Sequence, residues 1–326
     1  MTDWEGRYET SFTRSLPPVA NLTDGDAVMN THVNCSKSLM AIAMFIGLFV
    51  LAGNCQAQRE PVGFFLLQGV DKDNVRNSAL LDGSITGLSI RVSWASIDTG
   101  SQFEWGWLDS QVARCRMLGK PYMLRMMTGE NSPNWIQGAW YQDAPIPWNT
   151  TAQRALSQAI AALGNRYAGD PLLVGVHLSS TANYSSAEMH IASGLSSVSG
   201  YSDVKMIEAW EKAIDSYAAA FPNCALILNA TLEPNHRGGI TYPVIEYCQE
   251  RLGSRATFQH NSLKASTPMG ARHHQLILGL GRDGWRIGFQ MACASYRARF
   301  GGSFDEAVAL APGASYFEIY QEEVGR

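Results

Sequence analysis

Short apolar runs alternate along this chain with longer amphipathic ones. The apolar runs are Val62–Val70, Ile85–Trp94, Pro121–Met127, Leu172–Leu178, Cys224–Thr231, Arg255–Leu263, Trp285–Ala292 and Ser315–Glu322. Each is too short for an independent helix, and several are opened by proline or closed by polar residues. Such runs read as strands buried on both faces. The segments between them carry helical spacing. Trp107–Leu118 places Leu108, Val112 and Cys115 on one face and stops at Gly119. Leu156, Ile160, Leu163 and Tyr167 mark a helix whose start, Thr150 with Gln153, reads as a capping box. Ile207, Trp210, Ile214, Tyr217 and Phe221 recur at the clearest helical spacing of all, and Pro222 ends that run. Further helices are predicted over Asp71–Leu81, Tyr242–Leu252 and Arg272–Leu280, with Ser303 and Glu306 capping another. Eight strands alternating with helices predict an α/β fold, the (β/α)8 TIM barrel, over residues 58–326. The helix that usually follows the eighth strand is predicted to be missing or replaced.

The pattern differs upstream of Gln58. Residues Met1–Val28 show no periodicity and read as an extension outside the fold. From Met29 the chain has one lysine, Lys37, then the apolar stretch Leu39–Ala52, then small and polar residues ending at Cys55-Gln56-Ala57. This order is that of a secretory signal peptide over residues 29–57. It predicts a secreted or periplasmic protein. A membrane anchor is the other reading, but the run is shorter than the roughly 20 residues a spanning helix needs.

Composition narrows the partners. The chain has 326 residues, of which 46% are hydrophobic, and a formal net charge of −4. That leaves no basic footprint, which argues against nucleic acid as a partner. The six cysteines show no metal-ligand spacing, and Cys115, Cys224 and Cys248 fall inside apolar patterns, as buried thiols do. His273-His274 has no acidic or cysteine cluster nearby and reads as a solvated helix face. Gly279-Leu-Gly-Arg-Asp-Gly284 matches a dinucleotide fingerprint by letter only. A helix precedes it and a strand follows, so it reads as a helix-to-strand turn. No metal and no organic cofactor is expected.

In parallel α/β barrels, chemistry sits where strands end. The fourth strand passes into a small, polar loop carrying Glu188, which makes Glu188 the first catalytic candidate. Other carboxylates near strand ends are Asp71, Asp73, Glu104, Glu130, Asp143, Glu233, Glu318 and Glu322. Two carboxylates facing each other across a pocket would suit glycoside hydrolysis, and their separation would report the stereochemistry. Trp94, Trp135, Trp140 and Trp148 also lie at or beyond strand ends, where aromatic faces can stack on sugar rings. Gln259, Asn261 and Gln290 add neutral hydrogen-bonding groups of the kind a polyol needs. His177 reads as a hydrogen-bonded residue of the barrel interior.

Arg91-Val-Ser-Trp94, Phe103-Glu-Trp-Gly-Trp-Leu-Asp109, Leu124-Arg125 and Pro133-Asn-Trp135 together resemble the front half of clan A glycoside hydrolases. The likeness is nearest to the catalytic barrels of family 42 beta-galactosidases and spans about Ile90 to Trp135. It implies an acid/base glutamate at the fourth strand and a nucleophilic glutamate at the seventh. Here Ser179-Ser180 stand at the fourth strand end, with Glu188 eight residues on, and the seventh strand offers the amide Gln290. Gln cannot serve as the nucleophile. The expectation is therefore an exported glycosidase with Glu188 as proton donor and Glu318 as nucleophile or base, Glu322 being the neighbouring choice. Arg91, Trp94, Trp135, His177, Gln259, Asn261 and Gln290 would hold the sugar. The rival expectation is a non-catalytic carbohydrate-binding barrel that has lost its nucleophile. Glu318 has one further reading, as a core ion pair with Arg91.

Overall fold

A computed structural model of the chain describes residues 58–138, 140–180, 189, 194–233 and 238–325. The chain divides into two units, residues 1–55 and 56–326. The first, with the expected signal peptide, lies outside the described residues.

Eight parallel strands close on themselves: β1 (Gly63–Leu67), β2 (Ile85–Ser93), β3 (Tyr122–Met127), β4 (Leu173–His177), β5 (Ala225–Asn229), β6 (Ala256–Leu263), β7 (Arg286–Met291) and β8 (Tyr316–Ile319). Sequence neighbours pair throughout, and β1 pairs with β8 to close the ring. The helices between them are α1 (Asn77–Leu80), α2 (Trp94–Ile97), α3 (Gly106–Leu118), α4 (Thr150–Tyr167), α5 (Asp203–Ala220), α6 (Thr241–Leu252), α7 (Arg272–Arg282) and α8 (Phe304–Ala309). This is the (β/α)8 barrel that the alternation predicts. After β8 the described residues hold a 3-10 turn, Gln321–Glu323.

Local chemistry explains most boundaries. Ser303 and Glu306 form the reciprocal capping box at the start of α8. α3 ends at Gly119, whose φ of 63° suits glycine. The Gly279–Gly284 segment is a helix end followed by β7, so no phosphate site opens there. Three expectations need correction. The cap of α4 is Asn149, whose side chain accepts from the Ala152 amide; Gln153 turns instead to the Pro147 carbonyl. The helix expected over 71–81 shrinks to α1, because Asp71 has a φ of 51° and spends its carboxylate on the Ser93 amide. His273-His274 is not a solvated face. His274 is fully buried against Phe289 and donates Nε2–H to the Leu310 carbonyl at 2.8 Å. It shares the buried face of α7 with Ile277 and Leu278.

The main apolar core lies between the outer faces of the strands and the helices, and includes Leu88, Leu124, Val176, Leu226, Phe258 and Ile287. Inside the barrel a smaller apolar plug is built from Phe65, Met123, Ile227 and Tyr316. Glycines make room for it. A Cβ on Gly288 would sit 2.2 Å from the Tyr316 ring, and one on Gly87 would sit 2.8 Å from the Phe65 ring. Cys115, Cys224, Cys248 and Cys293 are buried free thiols. Among the described residues no helix is long and apolar enough to cross a membrane.

Candidate functional site

Side chains two residues apart on a strand share a face. Beside the plug and toward the C-terminal strand ends, the interior becomes polar. Ser89, Arg125, His177, Asn229, Gln259, Gln290 and Glu318 form this layer, one from each of seven strands. Strand register sets Arg125 beside His177, Asn229 beside Gln259, and Glu318 beside Gln290, and sets the plug residues Met123, Ile227 and Phe65 beside Ser89, His177 and Glu318. TIM barrels usually fill this space with branched apolar side chains. A polar layer at this height is the first sign of a site.

Glu318 is its centre and is fully buried. Oε2 accepts from Arg125 Nη2 at 2.6 Å and from Gln259 Nε2 at 2.7 Å. Oε1 accepts from the Ser89 hydroxyl and lies 3.3 Å from His177 Nε2. Burial alone would raise its pKa. The Arg125 charge, His177 and the Ser89 hydroxyl outweigh it and hold the carboxyl well below the usual range. The partner is therefore Arg125, not Arg91. Arg125 also donates Nη1–H to Gln290 Oε1 at 3.0 Å.

The donors around His177 set its tautomer. Nδ1 is approached by Arg125 Nη2 at 3.0 Å and Asn229 Nδ2 at 3.3 Å, both of which can only donate. Arg125 Nη2 lies 3.3 Å from Nε2 as well, but Nε2 also faces the Glu318 carboxylate, which can only accept, so Nε2 carries the proton and Nδ1 accepts. Burial, then the adjacent Arg125 charge, lowers the His177 pKa to about 4, so the ring is neutral at neutral pH. Gln259 is also saturated: Nε2 reaches Asn261 Oδ1 at 2.7 Å, and Oε1 accepts from the Tyr316 hydroxyl.

Arg91 lies on β2 two residues on from Ser89 and is register-paired with Arg125. Its Nε–H donates to the Gln68 carbonyl at 2.6 Å. Arg91, His177, Gln259, Asn261, Gln290 and Glu318 therefore gather at the C-terminal end of one barrel. Trp94 does not join them. It is fully buried as the first residue of α2, with its indole N–H on Asp98, and carries no exposed face. The reason is local: the Ser93 side chain caps α2 and turns the chain inward at that point. Trp135 lies on the loop after β3, 36% exposed, with its indole N–H on the Asp98 carbonyl. It is the only tryptophan among the described residues with so open a face.

Glu188 lies outside the described residues. Its neighbour Met189 is buried, and the Met189 amide donates to the Asn229 carbonyl at the end of β5. Several other strand-end carboxylates serve local structure. Asp73 pairs with Arg114, and Glu104 accepts from Gln102. Glu233 binds the Thr241 hydroxyl and the Ile240 amide at the start of α6. Burial would raise the Glu233 pKa, but these donors bring it below the usual range. No group of three or more His, Cys, Asp or Glu residues suited to a metal ion exists among the described residues.

Sequence reasoning missed Ser89 and Asn229, and treated Arg125 only as part of a motif. A signal was available for Arg125, the single charge in the strand Tyr122–Met127, because an arginine there must find an anion. Nothing comparable marks Ser89 or Asn229, which are ordinary polar residues in strands.

No family model and no curated protein sequence matches this chain. Solved structures do. The catalytic domain of a beta-amylase from Paenibacillus polymyxa superposes with a TM-score of 0.55 at 9% identity, covering 80% of this chain and 92% of that one. A psychrophilic glycoside hydrolase family 10 endo-beta-1,4-xylanase superposes with a TM-score of 0.50 at 12% identity, covering 79% and 86%. At such identities the likeness is one of fold, and it does not single out family 42. The chain carries a (β/α)8 barrel, a fold it shares with these glycoside hydrolases.

Proposed function

We propose that the protein binds a carbohydrate at the C-terminal mouth of its barrel, with Glu318 as the anion that fixes the floor of the site. The observation that carries this reading is the saturation of Glu318. Four donors occupy its two oxygens in a fully buried setting. Attack on a sugar would require the carboxylate to shed those bonds and uncover itself. As it stands, it orients Arg125 and His177, and Arg125 in turn aims Gln290. Arg91, Asn261 and Gln290 supply polar contacts at the mouth, and Trp135 supplies an aromatic face nearby. The glycosidase-like fold of the solved neighbours supports a carbohydrate as the ligand.

Hydrolysis is a second reading, favoured by the Met189–Asn229 hydrogen bond, which ties the residue after Glu188 to the end of β5. In it Glu188 protonates the leaving oxygen. Both readings are tested by isothermal titration and hydrolysis assays across a broad glycan panel, with Glu188→Gln and Glu318→Gln beside the unmodified protein. Binding without hydrolysis supports the first reading. If glycosides are cleaved, Glu188→Gln should lower turnover of an unactivated substrate by at least about 10²-fold, with a smaller loss on an activated leaving group. Full activity in that variant removes Glu188 from the mechanism. A protein that binds no glycan overturns both readings.

We also propose that residues 29–57 direct export and are removed. The motive is the apolar run Leu39–Ala52 followed by the small residue Ala57. N-terminal sequencing of secreted material should begin near Gln58. A cytosolic protein that keeps residues upstream of Leu39 would refute export.

A further inference from the structure

One cation at the mouth of the barrel has no ionic partner among the described residues. Arg125 is neutralised by Glu318 at 2.6 Å, and His177 is neutral. Arg91 remains. Its Nε–H is used on the Gln68 carbonyl, and among the described residues no carboxylate lies within ion-pair distance of its guanidinium. The residue is half-buried, and its Nη groups make no hydrogen bond among the described residues yet are not sealed from solvent, which leaves that edge of the guanidinium open. The groups that act on its charge are Arg125, which repels it, and Glu318 and Tyr320, which favour it. Burial lowers its pKa, the mark of a cation held out of water. A half-buried cation with one edge fixed and the other open is costly unless something anionic meets it.

Building on the carbohydrate reading, we infer that the ligand is an acidic sugar, and that the open edge of the Arg91 guanidinium takes the carboxylate of a uronic acid unit. The fit is one of shape as well as sign. A guanidinium presents parallel N–H bonds in a plane, and a carboxylate accepts them in the same plane. The bond from Nε to Gln68 fixes the plane in advance, so less freedom is lost on binding. Gln290 and Asn261, on β7 and β6, are neutral amides that can take up the hydroxyls of the same sugar. A sulfate ester would satisfy the charge but not the planar pairing.

The experiment compares uronate oligosaccharides of several backbones with their carboxyl-reduced counterparts, in which only the carboxylate has become a primary alcohol. Sulfated oligosaccharides form a third arm, and binding is read by titration calorimetry. At low salt the acidic member of at least one pair should bind at least about tenfold tighter than its reduced twin, in the range expected for charge-assisted bonds. The preference should shrink as salt rises. Arg91→Gln should bring the acidic-to-reduced ratio close to one, and Arg91→Lys should restore only part of it. Circular dichroism checks that both variants fold; if either does not, the ratio in the unmodified protein still decides. Reduced sugars binding as well as acidic ones overturns the inference and leaves the carbohydrate reading intact. Preference for sulfated over uronate ligands overturns the carboxylate assignment. Binding of no glycan in any arm overturns the carbohydrate reading, and this inference with it.

Discussion

Arg125→Met is expected to destabilise the protein by about 3–5 kcal/mol, the usual cost of stranding one member of a buried ion pair. The substitution roughly preserves volume, so packing changes little. What it removes is the cation that lets Glu318 stay ionised among Ser89, His177 and Gln259. Arg125→Met/Glu318→Leu removes both charges and should recover much of the loss, since a well-packed apolar pair can equal a buried salt bridge. Urea unfolding of the two variants makes the comparison. A loss below about 1 kcal/mol in the single variant would show that Arg125 is not what holds Glu318. The single variant carries a second signature. Without Arg125, burial dominates and raises the folded-state pKa of Glu318 above its unfolded value. The Glu318 contribution to stability would then be lost as pH rises, the reverse of its behaviour in the unmodified protein.

Acidification should destabilise the unmodified protein well before ordinary carboxylates titrate. His177 has its pKa lowered from 6.5 to about 4, by burial and then by Arg125. His260 has its pKa lowered to about 3, by burial and then by His273 and His274. A histidine whose folded pKa is depressed stays neutral in the native state while the unfolded chain takes up a proton. Its stabilising contribution is fully present above about pH 6.5 and is lost as pH falls toward the folded pKa. Each such histidine adds a slope approaching about 1.4 kcal/mol per pH unit. Glu318, lowered as well, adds a loss only at more acid pH. Between pH 6.5 and 5 most carboxylates remain ionised, so the slope there belongs to the histidines. Melting temperatures recorded from pH 7.5 to 4 should fall steadily through that window. A flat profile between 6.5 and 5 would mean that His177 and His260 are not held neutral by the fold.

The strands were legible because short, mostly apolar runs alternate with segments of helical spacing. Each observed strand falls inside its expected run, from Gly63–Leu67 to Tyr316–Ile319. The helix starts were less so. Asn149 and Thr150 are both plausible caps, and only the Ala152 hydrogen bond chooses between them. The site was legible in part. Strand-end position put Arg91, Gln259, Asn261 and Gln290 at one end of the barrel, because their place follows from the strands alone. Position along a strand says nothing about saturation, however. Glu318 stood out as a carboxylate, but the four donors that occupy it come from β2, β3, β4 and β6, and no local pattern announces them. Trp94 misled for a related reason. One residue past a strand end the chain can turn inward as easily as outward, and the Ser93 cap decided for inward.

The placement of Glu318 on the last strand also ties charge compensation to ring closure. Its partners Ser89 and Arg125 lie 229 and 193 positions earlier in the chain. Until β8 docks, a forming barrel holds two interior arginines and no interior anion among the layer that later surrounds Glu318. A barrel without β8 would set those arginines against each other uncompensated, whereas β8 supplies both the closing backbone pairs with β1 and the neutralising charge. Ring closure and charge compensation become a single step, so cooperativity is written into which strand carries the carboxylate.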